Sequence, residues 1–203
     1  MDTKHRILEA ALTLFAKKGY ANVYVGDIAE MVGIKAPSLY KHYKSKQAIF
    51  DAILEEMQQR YCAKAGILNL DGQDANIDAQ MFLNISEEKL VKTGTNLFLY
   101  FLHDEYASRF RKMLTMEQFY NQELAKLYDN QYVDGPLEYQ GLLFKLLSAQ
   151  GKLKGDNTRI MAIQFYAPIY LLLTICDRNP TKEEEALKTL EEHLKQFIQL
   201  YGR

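Results

Sequence analysis

The sequence is poor in the features that mark secreted, membrane-spanning and metal-binding proteins. Its two cysteines, Cys62 and Cys176, lie far apart without partners at metal-ligand spacing, so we expect neither a disulfide framework nor a metal site. The first residues lack the apolar core of an export signal. The longest apolar stretch, residues 160–176, is interrupted by Gln164 and Pro168 and is shorter than the roughly 20 residues of a spanning helix. We therefore expect a cytoplasmic protein with no membrane partner.

The motifs of common enzyme classes are missing as well. The sequence contains no glycine-rich phosphate loop, no nucleophile elbow and no pair of histidines at zinc spacing. The three consecutive acids at 183–185 are better explained as the first turn of a helix, where the helix dipole favours negative charge. We therefore expect no enzyme, no catalytic residue and no cofactor.

Positive charge is concentrated near the amino terminus. The first 50 residues contain eight Lys and Arg residues and four Asp and Glu residues, whereas the rest of the chain contains more acids than bases. A basic segment on an acidic body suits a nucleic acid, because its phosphates attract clustered cations. An excess of this size is weak evidence alone, and the local sequence pattern has to support it.

The hydrophobic periodicity predicts an all-α protein. Ile7, Ala11, Leu14 and Phe15 recur at helical spacing and predict a first helix over residues 3–18. Short helices are predicted at about 26–32 and 36–42, and a fourth helix at 46–61. Turn-forming residues fill 65–84, which we predict to be a linker. Helical patterns resume at 86–103, 105–119, 122–132, 136–150, 156–177 and 181–201.

Residues 25–43 have the pattern of a helix-turn-helix. Ala29 is small where the two helices would cross, and Gly33 supplies the turn between them. Four apolar positions are spaced to fix the angle between the helices: Ile28, Val32, Ile34 and Leu39. Many three-helix cores share this pattern, so alone it leaves DNA binding and a purely structural role open.

The residues that would face outward favour DNA binding. They line the exposed start and side of the second helix of the motif: Lys35, Ala36, Pro37, Ser38, Lys41 and His42. The alternative for them is a solvated face. Tyr40 fits that alternative less well, because its ring could pack on the motif while its hydroxyl reaches a phosphate. Lys46 opens the fourth helix, where its ammonium and free backbone N–H groups could hold another phosphate.

Four segments resemble the N-terminal domain of TetR-family transcriptional regulators: Gly19-Tyr20, Val25-Gly26-Asp27-Ile28-Ala29, Gly33-Ile34, and Pro37-Ser38-Leu39-Tyr40-Lys41-His42-Tyr43-Lys44-Ser45-Lys46. This resemblance implies a domain of residues 1–46 that contacts DNA through Lys35, Ala36, Pro37, Ser38, Tyr40, Lys41, His42 and Lys46, with Val25 and Gly26 at the start of the second helix. Tyr24 and Val25 stand where members often have Thr or Ser, and Ala36 lacks a long polar side chain. We therefore expect Lys35 and Lys41 to carry more of the recognition.

The resemblance also implies a helical effector-binding and dimerisation domain over residues 47–203. A seam suited to helix pairing follows spacings of three and four, and we predict it to be the dimer interface: Leu187, Leu190, Leu194, Phe197 and Tyr201. The helix before it is apolar on nearly every side, as expected of a helix buried against its own core and a partner. A monomer with a buried central helix is the alternative, although two DNA half-sites call for a two-fold dimer.

Aromatic residues are concentrated in the larger domain. Of the 24 Phe and Tyr residues, 17 lie between Phe82 and Tyr201, and such side chains suit an adaptable apolar cavity, although they more often form ordinary core. We predict that nine residues line an effector pocket: Tyr100, His103, Met113, Met116, Phe119, Tyr120, Phe165, Tyr166 and Tyr170.

These predictions together describe a dimeric repressor. Its expected partners are palindromic double-stranded operator DNA, a second copy of the chain, and a small-molecule effector of apolar or aromatic character that releases the protein from DNA. A DNA-binding architectural or cell-cycle protein of the same fold, with no ligand, is the alternative.

Overall fold

The computed structural model describes residues 2–203 and is helical throughout. In this range eleven α-helices follow one another: α1 Thr3–Lys18, α2 Val25–Val32, α3 Ala36–Tyr40, α4 Lys46–Ile67, α5 Ala75–Leu83, α6 Glu87–His103, α7 Glu105–Glu117, α8 Gln122–Tyr132, α9 Asp134–Ala149, α10 Thr158–Arg178 and α11 Glu183–Tyr201. The described residues contain no strand, and one isolated bridge pairs Leu153 with Gly202. The predicted all-α class is confirmed.

The predicted linker contains a helix. Residues 65–84 hold the last turn of α4 and the whole of α5, so the prediction of a linker there is wrong. The side chain of Asp74 accepts a hydrogen bond from the backbone N–H of Asn76 and caps α5. The acidic and amide residues that suggested turns therefore include a helix cap, for which such residues are equally suited.

The helices form two compact units, and the first is larger than the predicted 1–46 domain. Unit 1 comprises the chain up to Tyr61 together with Glu105–Tyr128, and unit 2 comprises Cys62–Asp104 and Asp129–Arg203. Unit 1 gains α7 because this helix packs against α1. Sequence periodicity could not predict the addition, since the contacting residues are about 100 positions apart.

Unit 1 is held by a buried apolar core and by charged groups. Its core draws on five helices: Ile7, Ala11 and Phe15 from α1, Ile28 and Val32 from α2, Leu39 from α3, Ile49 and Ile53 from α4, and Phe110 and Met113 from α7. The Glu9 carboxylate on α1 lies 3.8 Å from a guanidinium nitrogen of Arg60 on α4 and 3.1 Å from one of Arg109 on α7. These pairs join α1, α4 and α7.

The predicted dimer seam on α11 belongs to the core of unit 2. Leu190, Leu194 and Phe197 are 0%, 1% and 6% exposed, and they pack against side chains of α6, α9 and α10. Leu187 and Tyr201 are partly buried beside them. We therefore correct the prediction, because a partner cannot reach side chains that the protomer already buries. The spacing of three and four marks the buried face of a helix but not the surface that buries it.

Unit 2 also contains α10, a long apolar helix. Within residues 2–203, α10 is the one helix long and apolar enough to cross a membrane by length and composition. The core helix of a soluble protein has the same properties, so this finding is weak evidence for a membrane span. The α10 residues Met161, Ala162, Leu172, Leu173 and Cys176 are buried in the two apolar clusters of the unit.

Candidate nucleic-acid interface

The turn between α2 and α3 depends on Gly33. This residue has φ 76 and ψ 33, a left-handed conformation that glycine adopts without steric cost. Its N–H donates to the Glu30 carbonyl, and the Ile34 N–H donates to the Ala29 carbonyl, both at 2.9 Å. Backbone hydrogen bonds thus close α2 and direct the chain into α3.

Helix α3 buries one apolar side chain, and several side chains in it and directly beside it face solvent. Leu39 is fully buried, whereas Lys35, Pro37, Tyr40 and Lys41 are exposed. Three further predicted contact residues are half-buried along the same segment: Ala36, Ser38 and His42. Lys35 precedes the helix in an extended conformation, and its carbonyl accepts the Ser38 N–H at 2.8 Å. The exposed lysines are therefore anchored by a short helix fixed through Leu39.

Lys46 occupies a different setting from the one the sequence suggested. Its Nζ donates to the carbonyl oxygens of Tyr20 at 2.8 Å and Val23 at 2.9 Å and lies 4.4 Å from the centroid of the Tyr20 ring. Partial burial lowers the pKa of this ammonium, while the nearby Glu117 carboxylate raises it. An ammonium has three donors, so one N–H is left for a phosphate after the two carbonyls are satisfied.

The structure adds a residue that the sequence did not suggest. Glu117, at the end of α7, is 7% exposed, and its Oε1 accepts the backbone N–H of Tyr20 at 2.8 Å. Tyr20 lies in the turn between α1 and α2. No local pattern could have identified Glu117, because the two residues are 97 positions apart.

The nine residues predicted to line an effector pocket are divided between the units. Met113 is buried in the core of unit 1, whereas Met116, Phe119 and Tyr120 of the same unit are 44%, 77% and 89% exposed. The other five belong to unit 2: Tyr100, His103, Phe165, Tyr166 and Tyr170. The prediction assumed that aromatic residues concentrated in the sequence also lie together in space. That assumption does not hold, because α7 and the residues after it belong to unit 1.

Within unit 2, His103 is engaged at the surface. Its Nε2 lies 2.8 Å from Oε1 of Glu183, and the pair joins the end of α6 to the start of α11. An effector role of His103 stays a prediction. The Tyr166 hydroxyl donates to the Tyr132 carbonyl at 3.0 Å, and the ring of Tyr170 lies near both tyrosine rings.

Two open cavities of unit 2 are lined by other residues. One, of about 440 Å³, is bounded by Ile67, Leu68, Asn69, Ser86, Glu88, Lys89, Lys92, Thr93 and Asn96. The other, of about 650 Å³, is bounded by Asp71, Gln73, Asp74, Ala75, Ile77, Gly135, Glu138, Tyr139 and Leu142. Neither includes a residue predicted to contact an effector. Among residues 2–203, no group of three or more His, Cys, Asp or Glu side chains is placed to hold a metal ion.

Comparison with known families identifies the segment that carries the helix-turn-helix. Residues 7–53 match the model of bacterial regulatory proteins of the tetR family. Over 184 residues the chain is 27% identical to IcaR of Staphylococcus aureus, the negative transcriptional regulator of the biofilm operon icaADBC. That alignment covers 85% of this chain and 97% of IcaR, so the similarity extends through both units.

Solved structures show the same fold along the whole chain. SmeT, the repressor of the Stenotrophomonas maltophilia multidrug efflux pump SmeDEF, in its complex with triclosan, superimposes with a TM-score of 0.68. It is 20% identical, and the match covers 100% of this chain and 93% of SmeT. A Saccharomonospora viridis protein in complex with choline has a TM-score of 0.66 at 22% identity, over 98% of both chains.

Proposed function

We propose that this chain is a TetR-family transcriptional regulator, a dimeric repressor that binds a palindromic operator and leaves it when an effector binds. Such a protein is a DNA-binding regulator and not an enzyme. The observation that carries the proposal is the exposure of Lys35, Tyr40 and Lys41 around a helix anchored by the buried Leu39. The role of IcaR as a negative regulator favours repression.

In the proposed complex α3 enters the major groove. Lys35 and Lys41 read base edges, because a lysine ammonium can bond the acceptors O6 and N7 of guanine. The side chains of Ala36, Pro37 and Ser38 are small, so the start of α3 can approach the bases closely. His42 lies just after the helix, on the same proposed DNA-binding segment. The Tyr40 hydroxyl and the remaining N–H of Lys46 bind phosphates, which position the protein without selecting a sequence.

A dimer would place two such helices on successive half-sites, about one helical turn apart. The surface proposed for pairing is the exposed side of α10 and α11, where apolar residues face solvent: Ile160, Ile163 and Leu171 on α10 and Leu200 on α11, each between 37% and 57% exposed. Burial of this surface against a second copy removes apolar area from water, which favours association. This surface replaces the predicted seam on α11, which the protomer buries against its own helices.

The proposed effector is a small molecule with apolar or aromatic character. Phe165, Tyr166 and Tyr170 of unit 2 lie on α10, Tyr100 lies on α6, and the ring centroids of Tyr132 and Tyr170 are 6.4 Å apart. Aromatic rings with a few polar atoms form adaptable binding surfaces. The triclosan complex of SmeT supports this ligand class for a protein of the same fold.

Effector and operator would oppose each other through their preference for different conformations. Coupling of about 1 to 3 kcal/mol suffices for regulation, and it must be reciprocal. We propose that the protein acts in the reducing cytoplasm. Its two cysteines form no disulfide, in agreement with that setting.

A selection from random-sequence DNA tests the repressor proposal. Purified protein should enrich a palindromic site, and a thermal-shift screen should find small molecules that raise the melting temperature. Hits from the screen should then weaken binding to the selected DNA. A protein that enriches a site, yet is stabilised by no compound of a broad apolar and aromatic library, would instead be the ligand-independent DNA-binding protein.

A further inference from the structure

We propose that Glu117 is a positioning residue for DNA reading, whose carboxylate holds the turn that leads into the helix-turn-helix. It lies outside residues 7–53, the segment matched by the family model, and belongs to the same compact unit. The inference rests on the proposed DNA binding and adds to it a contact from α7. Glu117 contacts Tyr20, and the short segment after Tyr20 leads into α2.

The polar groups of Tyr20 are each held by a different side chain. Its backbone N–H donates to Glu117 Oε1 at 2.8 Å, its carbonyl accepts from Lys46 Nζ at 2.8 Å, and its hydroxyl donates to Gln47 Oε1 at 3.0 Å. Lys46 also binds the Val23 carbonyl, two residues before α2 begins at Val25. Because so few residues separate Tyr20 from α2, a shift of Tyr20 displaces the helix-turn-helix.

Gly19 provides independent support for a close approach of the carboxylate. A Cβ atom at this position would lie 2.5 Å from Glu117 Oε1, so the carboxylate would have to move to admit one. Gly19 also has φ +81, a backbone conformation that favours glycine. In this turn Gly19 leaves room for the Glu117 carboxylate, which accepts the N–H of the next residue, Tyr20.

The loss of this acceptor should affect base reading more than phosphate binding. Without Glu117 the Tyr20 N–H loses its partner, and the nearby Lys46 ammonium loses the negative charge that favours it. Base contacts need accurate placement of α3, whereas phosphate contacts tolerate small displacements because charge attraction varies gradually with distance. Sequence discrimination therefore falls, while binding to unrelated DNA is preserved.

The test compares Glu117→Ala and Glu117→Gln with Glu123→Gln, which removes a negative charge from an exposed residue of the same unit. Each variant is titrated against a duplex carrying the site selected from random DNA and against a scrambled duplex of equal composition. We expect Glu117→Ala to lower the ratio of the two affinities about tenfold, the size of a lost charge-assisted hydrogen bond. Glu117→Gln keeps an amide oxygen as acceptor and should retain most of the ratio, and Glu123→Gln should retain all of it.

Hydrogen exchange at the Tyr20 amide supplies a readout that does not depend on DNA. Exchange at this amide should quicken in Glu117→Ala and stay near the wild-type rate in Glu123→Gln. A variant that is merely destabilised would lose active protein and reduce binding to both duplexes equally. Unchanged discrimination in Glu117→Ala, or an equal loss on both duplexes, would overturn the proposal. If the wild-type protein prefers neither duplex, the proposed DNA reading has failed, and the exchange result then reports separately on the Glu117 contact.

Discussion

Lys46 lies over the ring of Tyr20, with its Nζ 4.4 Å from the ring centroid, and donates a hydrogen bond to the carbonyl oxygen of the same residue at 2.8 Å. A cation that the sequence assigned to DNA phosphate therefore also stabilises the turn before the helix-turn-helix. The structural contact and the proposed phosphate contact of Lys46 lead to two separable measurements.

Replacement of Lys46 by methionine should impair both stability and DNA binding. The substitution keeps an unbranched apolar chain over Tyr20 but leaves the Tyr20 and Val23 carbonyls without their donor, so we expect the free energy of unfolding to fall by about 1 kcal/mol. The slope of log affinity against log salt concentration should decrease by about 1 if the third N–H binds a phosphate. Lys44→Met is the matched control, because Lys44 is exposed and its loss should leave stability unchanged. Equal stability of the two variants would contradict the structural role.

Replacement of Lys41 by alanine should change which sequence is preferred. Lys41 is exposed immediately after α3, where a side chain in the groove meets base edges, and one lost base contact costs about 1–3 kcal/mol of discrimination. The measurement is a second selection from random DNA, with Lys18→Ala at the end of α1 as the control of equal charge. Tyr40→Phe should instead weaken binding to all sequences alike. Lys41→Ala protein that selects the wild-type site would remove Lys41 from base reading.

The sequence predicted local structure well and long-range packing poorly. The bounds of α1 follow from its apolar repeat and from Gly19, and α3 follows from Gly33 and Pro37, because local chemistry determines them. The contact of Glu117 with Tyr20 depends on the packing of α7 against α1, which no local pattern encodes. The stripe containing Leu190 and Leu194 was recognised as a buried face, yet its partner proved to be the same protomer.

Substitutions on the two faces of the last helices should separate folding from dimerisation. Leu194→Ala removes a side chain that is 1% exposed, and we expect a loss of about 2–5 kcal/mol in unfolding free energy with the dimer retained under native conditions. Leu171→Glu alters a side chain that is 56% exposed and should convert the dimer to a folded monomer. Sedimentation velocity and urea unfolding measure the two effects. A dimeric Leu171→Glu protein would show that pairing uses another surface.

Asp78 should be the main polar determinant of stability in unit 2. It is 1% exposed, and its carboxylate accepts the N–H groups of Asp71 at 2.7 Å and Gly72 at 2.8 Å and the hydroxyl of Tyr139. Asp78→Ala removes the acceptor of these three hydrogen bonds and should cost about 3 kcal/mol, whereas Tyr139→Phe removes one of the three and should cost about 1 kcal/mol. Chemical denaturation gives both values. Asp74→Ala, which removes only the cap of α5, should cost about 1 kcal/mol. A loss in Asp78→Ala no larger than that of Asp74→Ala would contradict this account.

The stoichiometry and symmetry of the DNA complex test the central claim most directly. The measurement is a selection from random-sequence DNA, followed by analytical ultracentrifugation of the protein on the enriched duplex. A two-fold regulator predicts an inverted repeat with half-sites about one helical turn apart, bound by two protomers and reduced to weak binding when one half-site is scrambled. Enrichment of no sequence, or of an asymmetric site bound by a single chain with full affinity, would contradict the proposal of a dimeric DNA-reading repressor.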